Sequence, residues 1–180
     1  MADVNKAVQF VLGQEDARLT GDVTTLPGDR GGRTRFGLAS KFHPELVEKG
    51  YYEVENGKPK IPHDEALAIA ERTLSEDYAL KVGIDKITDQ NVANRVLSFA
   101  INEGPGEATA ILQKALNSLG AKLAADGRLG PATLETINAA DPAQLIAALR
   151  SFERQFYTHL VSVRPELMPE YHGLLNRADA

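Results

Sequence analysis

Val4-Asn5-Lys6-Ala7-Val8-Gln9-Phe10-Val11-Leu12-Gly13-Gln14-Glu15 reads as one amphipathic helix, starting near Asp3, that ends on a carboxylate. Val4, Val8 and Val11 recur at helical spacing, and Phe10 and Leu12 widen the stripe. Steps of four, three and four residues lead to Glu15, so at about 100° per residue the four side chains fall within an arc of roughly 60°. A carboxylate on a core-facing stripe is a chemical signal. Burial disfavours its charged form and raises its pKa. A carboxylic acid that keeps its proton near neutral pH can protonate a glycosidic oxygen. The plainer reading is a frayed last turn with Glu15 in water, and periodicity alone favours it. The residues after the helix shift the weight.

From Asp16 to Ser40 the helical pattern gives way to Gly, Pro, Thr and Asp, which suits turns and short strands. Within it lies Asp29-Arg30-Gly31-Gly32-Arg33-Thr34-Arg35-Phe36-Gly37-Leu38. Paired glycines at 31 and 32 make a tight turn with at least one positive φ and let backbone approach a bulky ligand. Asp29 and Thr34 flank the turn, one an acceptor and the other a hydroxyl able to hold a water. A glycosidase needs such a second polar group across the scissile bond from its acid. Asp22 is a rival for the second carboxylate, and Arg30, Arg33 and Arg35 make the neighbourhood basic.

Working outward, Thr34 to Ala39 reads as a strand and Tyr51 to Ile61 as a hairpin turning at Asn56-Gly57. Tyr51 and Tyr52 read as packing residues before sugar-stacking ones. Helices follow: His63 to Tyr78; a second capped by Thr88 and ended by Gly104-Pro105; a third through Ala108 and Leu116, stopped at Gly120. Asp126-Gly127 is a turn, Pro131 opens a short helix, and Asp141-Pro142 opens a long one to about Val161. Pro165 and Pro169 break up the tail. The expectation is a mainly α (α+β) chain with a small β element near its N-terminus. It is expected to form one domain over 1–180, divided into a lobe at 1–87, a helical lobe at 88–164 and a tail at 165–180.

Composition narrows the function. With 180 residues, 43% of them hydrophobic, the chain can bury a core without staples, and it has no cysteine for disulfides, thiolate metal sites or thiol nucleophiles. A formal charge of −5 argues against nucleic acid as a partner. It also leaves adsorption to an anionic cell wall to a locally basic cleft. His43, His63, His159 and His172 lack metal-ligand spacing, so neither a metal nor another cofactor is expected. No apolar run spans a bilayer, and the N-terminus lacks the basic start and apolar core of a secretory signal. A target outside the cytoplasm would be reached by other means.

Together, the helix-terminal Glu15 and the Asp-x-Gly-Gly-x-Thr-x-x-Gly-Leu run at 29–38 resemble glycoside hydrolase family 108. These are lysozyme-like N-acetylmuramidases that serve as phage endolysins or assist bacterial secretion. Asp64-Glu65-Ala66 through Tyr78 and Ala100-Ile101-Asn102-Glu103-Gly104 are similar to further family segments. Leu112-Gln113, Asp126 to Thr133 and Phe156-Tyr157 resemble its predicted peptidoglycan-binding region. The resemblance implies Glu15 as catalytic acid, with Asp29 and Thr34 at the reacting centre. Gly31, Gly32, Arg35 and Asn102 are then substrate contacts, Asn102 being equally suited to capping Gly104-Pro105. It implies peptidoglycan glycan strands as partner, a monomer, and delivery by a holin, a secretion apparatus or lysis. Two departures stand out: Asp16-Ala17 where the family has Gly-Gly, and Ser98 where it has Asp. The first favours a rival reading, a non-catalytic peptidoglycan-binding protein on the same fold.

Overall fold

The computed structural model of the chain describes residues 1–15, 19–25 and 32–179, with the side chains of Glu15 and Glu170 left out. Helix α1 spans Val4–Glu15. Asp3 caps it, its Oδ1 accepting from the amides of Asn5 and Lys6 at 2.9 and 3.2 Å. Ala7, Val8, Val11 and Leu12 are buried, as the stripe requires, and Val4 packs against the same core. Phe10, expected to widen the stripe, is instead 38% exposed. It sits one step round the helix from Val11 and faces outward.

The β element follows. Strands β1 (Thr24–Thr25), β2 (Arg33–Arg35) and β3 (Leu38–Ala39) form an antiparallel sheet in that order. The single strand expected over Thr34 to Ala39 is thus a hairpin. Phe36 and Gly37 both take positive φ, 50° and 76°, and reverse the chain. The short helix α2 (Pro44–Glu48) leads to β4 (Val54–Glu55) and β5 (Lys58–Pro59), which turn at Asn56-Gly57 as expected.

Helix α3 (His63–Thr73) runs into a wider, π-type turn over Leu74–Ala79. That geometry keeps Leu74 and Ala79 both buried, although an α-helix would place residues five apart about 140° apart. Helix α4 (Gln90–Glu103) is capped by Asp89 and not by Thr88. The Asp89 carboxylate accepts from Asn91 and Val92, while the Thr88 backbone and hydroxyl are both held by Asn138.

Helices α5 (Pro105–Ser118), α6 (Pro131–Ala139) and α7 (Pro142–Val163) complete the order read from sequence. The buried amide of Gln113 holds the Asp126-Gly127 turn, donating to Asp126, Arg128 and Thr133 and accepting from the Gly127 amide. Residues 165–179 are not a loose tail. After a 3-10 turn at Pro165–Glu170, helix α8 (Tyr171–Asp179) packs on α7 with Leu174 and Ala178 buried. Both prolines precede α8, so neither interrupts it.

Helix α4 is the hub. It packs on α1 through one face and on α5 and α7 through others, and the hydrophobic cluster runs unbroken from Ala2 to Ala178. The arrangement is a lysozyme-like α+β fold.

Candidate active site

The C-terminal end of α1 lies beside α4, where the Ser98 hydroxyl donates to the Gln14 side-chain carbonyl at 2.9 Å. Glu15, the next residue, closes the helix. Its backbone continues the register of Val8 and Val11, whose side chains are 2% and 1% exposed. Asp29, Gly31 and Arg30, like the Asp16-Ala17 departure, lie outside the described residues.

Beyond the gap, Gly32 has φ 81°, as the turn reading requires. A Cβ there would meet the Ser40 hydroxyl at 2.7 Å, the same oxygen that accepts from the Arg33 amide at 2.9 Å. Thr34 follows on β2, half-buried, paired with Thr24 on one side and Ala39 on the other. Directly opposed residues share a sheet face. Thr24, Thr34 and Ala39 therefore form a small, hydroxyl-bearing floor on the face opposite Arg35. Thr24, which the sequence reading passed over, also donates its hydroxyl to the Thr34 carbonyl at 3.3 Å. Asp22 is exposed, just before this strand.

Arg35 corrects the sequence reading. It was assigned to substrate, yet it is 2% exposed and its guanidinium is committed to the protein. Nε donates to the Gly21 carbonyl at 2.7 Å, Nη1 to that of Tyr51 at 3.2 Å and Nη2 to that of Ile61 at 2.9 Å. The Tyr51 ring lies under it at 5.3 Å. Burial holds its pKa below the usual guanidinium value, with Tyr51 and Asp22 pulling it back up. Arg35 is thus a pin through three loops. Tyr51 and Tyr52 are buried edge to face against each other, so they pack and do not stack on sugar.

Asn102 is half-buried near the end of α4 and donates to the Ser98 carbonyl at 2.9 Å. It does not cap Gly104, whose own amide bonds the Ala100 carbonyl. Its neighbour Glu103 is a titratable group that the sequence reading did not single out. Burial pushes Glu103 up to about 7; Glu107 adds to this, while Arg177, Arg164 and the Tyr157 hydroxyl hold it back. His43 is buried between Glu45 and the Tyr78 hydroxyl, and His63 is held by Asp64 and the Leu19 carbonyl. Among the described residues no cluster has the makings of a metal site, and no helix is long and apolar enough to cross a membrane.

The structure brings Glu15, Gln14, Ser98 and Asn102 to one helix junction and sets Thr24 and Thr34 on one strand pair. Comparison with known proteins bears on the chain as a whole. The family model described as glycosyl hydrolase 108 matches residues 8–104, and that described as a predicted peptidoglycan domain matches 107–178. The two matches meet at the α4–α5 junction, so α4 lies within the stretch matched as glycosyl hydrolase. No protein with a curated description matches the chain. Among solved structures, that of Brucella abortus SagA matches with a TM-score of 0.66 at 21% identity, covering 97% of this chain and 92% of that one. At that identity the likeness speaks for the fold. The family match, which takes in more than half of the chain, carries a role in peptidoglycan hydrolysis and binding. The chain belongs to the glycosyl hydrolase 108 family.

Proposed function

We propose that this chain is an N-acetylmuramidase, hydrolysing the β-1,4 bond between N-acetylmuramic acid and N-acetylglucosamine. Glu15 donates a proton to the leaving glycosidic oxygen. A water held by the Thr34 hydroxyl, and activated by Asp29 or Asp22, attacks the anomeric carbon. The proton it loses goes to that carboxylate, and the strand leaves as two shorter chains. The separation of the two carboxylates decides between inversion and retention. The chemistry asks for no cofactor. The substrate lies outside the cytoplasm, reached through a holin, a secretion apparatus or lysis.

The observation that supports this reading best is the place of Glu15. It is the last residue of α1, in register with the buried Val8 and Val11, at the junction with α4. A carboxyl in that register is held in its acid form more readily than one in water. The test is lysis of permeabilised Gram-negative cells together with reducing-end analysis of purified glycan. Wild type should release muramic-acid ends, and Glu15→Gln should lose essentially all activity at unchanged or slightly raised Tm. An active Glu15→Gln variant would end the catalytic assignment. A wild-type protein that binds peptidoglycan without cutting it would be a binding protein on a hydrolase fold.

A further inference from the structure

Sugar-stacking rings were sought at Tyr51 and Tyr52, and the fold buries both. The ring left in the open is Phe42, 68% exposed, while no other phenylalanine is more than 38% exposed. A large apolar ring held out in water is informative where it adjoins a concave surface. Phe42 stands at the rim of a hollow of about 590 Å³, walled by His43 and Glu45 on one side and by Asp77, Tyr78 and Lys81 on the other. The walls are fixed to each other. His43, 4% exposed, has one ring nitrogen 3.2 Å from Glu45 Oε1 and the other 3.1 Å from the Tyr78 hydroxyl. The charges are balanced as well: Lys81 donates to Asp77 Oδ1 at 3.1 Å, and Lys41 Nζ lies 6.0 Å from the centre of the Phe42 ring. Two carboxylates against two ammonium groups leave no surplus to select an ion. What the hollow offers is a flat apolar ring beside donors and acceptors. Each contact to a carboxylate takes one of its oxygens, and a hydroxyl, donor and acceptor at once, can bond the other. A pyranose has the matching surface, an apolar C–H face with a rim of hydroxyls.

Position joins this hollow to the proposed site from two sides. Phe42 comes two residues after Ser40, whose hydroxyl accepts from the Arg33 amide at the Gly32 turn, and its own amide donates to the Ala39 carbonyl at 3.0 Å. Pro105, a further part of the lining, follows directly on α4, whose Ser98 holds Gln14 beside Glu15. Gly104 is six residues beyond Ser98, about 9 Å along the helix axis. A strand cut at the end of α1 has further rings to place at that range, because the glycan of peptidoglycan is a long polymer of pyranoses. The hollow also lies where the two matched regions meet, between residues 104 and 107.

Resting on the muramidase reading, we propose that this hollow is a remote subsite for the glycan strand, in which a sugar ring away from the bond being cut stacks on Phe42. The soluble β-1,4-linked hexamer of N-acetylglucosamine would be titrated into the full chain by heteronuclear NMR, and KM and kcat measured on purified glycan strands. In wild type the hexamer should shift the amides of residues 41–45 and 77–81. Phe42→Ala should lose those shifts and raise KM about five- to tenfold, with kcat and Tm little changed. Phe42→Tyr, which keeps the ring, should behave as wild type. Val163→Ala, an exposed apolar change outside the lining, should alter neither reading. An unchanged KM in Phe42→Ala would overturn the proposal. So would hexamer shifts at 41–45 and 77–81 that persist in that variant. Shifts there from the stem tripeptide L-Ala-D-Glu-diaminopimelate, and not from the hexamer, would overturn it too and make the hollow a peptide site. If wild type cuts no glycan but the hexamer shifts these amides in a Phe42-dependent way, the hydrolase reading fails and the sugar subsite stands. If wild type and Phe42→Ala cut glycan alike and the hexamer leaves these amides unmoved, hydrolysis stands and the subsite falls.

Discussion

Replacing Arg35 by Lys separates a structural pin from a substrate contact. The guanidinium makes three hydrogen bonds to carbonyls of Gly21, Tyr51 and Ile61 at 2.7–3.2 Å, with the residue 2% exposed. Hydrogen bonds to a charged group contribute about 1.5–3 kcal/mol each, and a buried carbonyl left unpaired costs about 1–3 kcal/mol. A lysine ammonium keeps the charge and reaches one or two of the three acceptors, because it lacks the planar fork. The loss is then about 3–5 kcal/mol, a large share of a typical domain's stability. For a chain of this size that is a fall in Tm of roughly 10–15 °C.

The loops pinned by Arg35 carry the floor formed by Thr24 and Thr34, so activity should fall with temperature earlier than in wild type. Below the transition, KM should change little, because the side chain has no surface to offer a ligand. Thermal unfolding by circular dichroism, with lysis kinetics well below Tm, measures both. A variant with wild-type Tm and a several-fold higher KM would refute the reasoning and return Arg35 to the substrate.

Gly32→Val should cost most of the activity with helical content kept, since φ 81° disfavours any Cβ and this one would meet Ser40 Oγ at 2.7 Å; lysis and circular dichroism check it. Glu103 titrates at about 7 in the fold against an ordinary 4.5, so the folded state holds its proton more tightly and stability falls as pH rises from about 4.5 to 7. Glu103→Gln should therefore be more stable than wild type by about 1–2 kcal/mol at pH 8 and nearly equal to it at pH 4.5, read from urea midpoints. Fragments 1–87 and 1–104 should both be poorly folded in heteronuclear NMR: the first lacks α4, which covers α1, and the second lacks α5 and α7, which cover α4. A folded, lytic 1–104 would divide the chain into independent units at the α4–α5 junction.

The helices were legible because each has a cap, a proline or a glycine where its apolar period starts or stops. Asp141-Pro142, Gly104-Pro105 and Asn56-Gly57 all sit where expected. Three of the readings that failed did so for reasons that residue patterns hide. Phe36 adopts a left-handed conformation that its residue type disfavours, so the β2–β3 turn was hidden inside an apparent strand. Two prolines suggested a broken tail, yet both fall before α8. Arg35 looked like a surface cation because its three acceptors are backbone carbonyls far along the chain, which no residue pattern announces.

The site was less legible, and the reason lies in the cue itself. Val4, Val8, Val11 and Glu15 follow steps of four, three and four. Val92, Val96, Phe99 and Glu103 on α4 follow the same steps, and there the last carboxyl does titrate at about 7. On α7, Leu145, Leu149 and Glu153 lead by fours to a carboxyl 3% exposed, raised by burial against the pull of Arg95. On α4 and α7, then, a glutamate ending or interrupting an apolar stripe is a perturbed acid, but the pattern does not say which acid does chemistry. Glu153 is committed to Arg95 in a buried pair and faces no open surface. Glu103 is half-buried and accepts from the Tyr157 hydroxyl, at the end of α4 where the two matched regions meet. We propose Glu15 as the acid of the three, because it closes α1 beside Ser98 of α4 and is the one that the family resemblance assigns. The distinction is testable as a pair. Glu15→Gln should lose lysis and keep the wild-type fall in stability between about pH 4.5 and 7, while Glu103→Gln should keep lysis and reduce that fall. The reverse pattern would move the catalytic acid from α1 to α4.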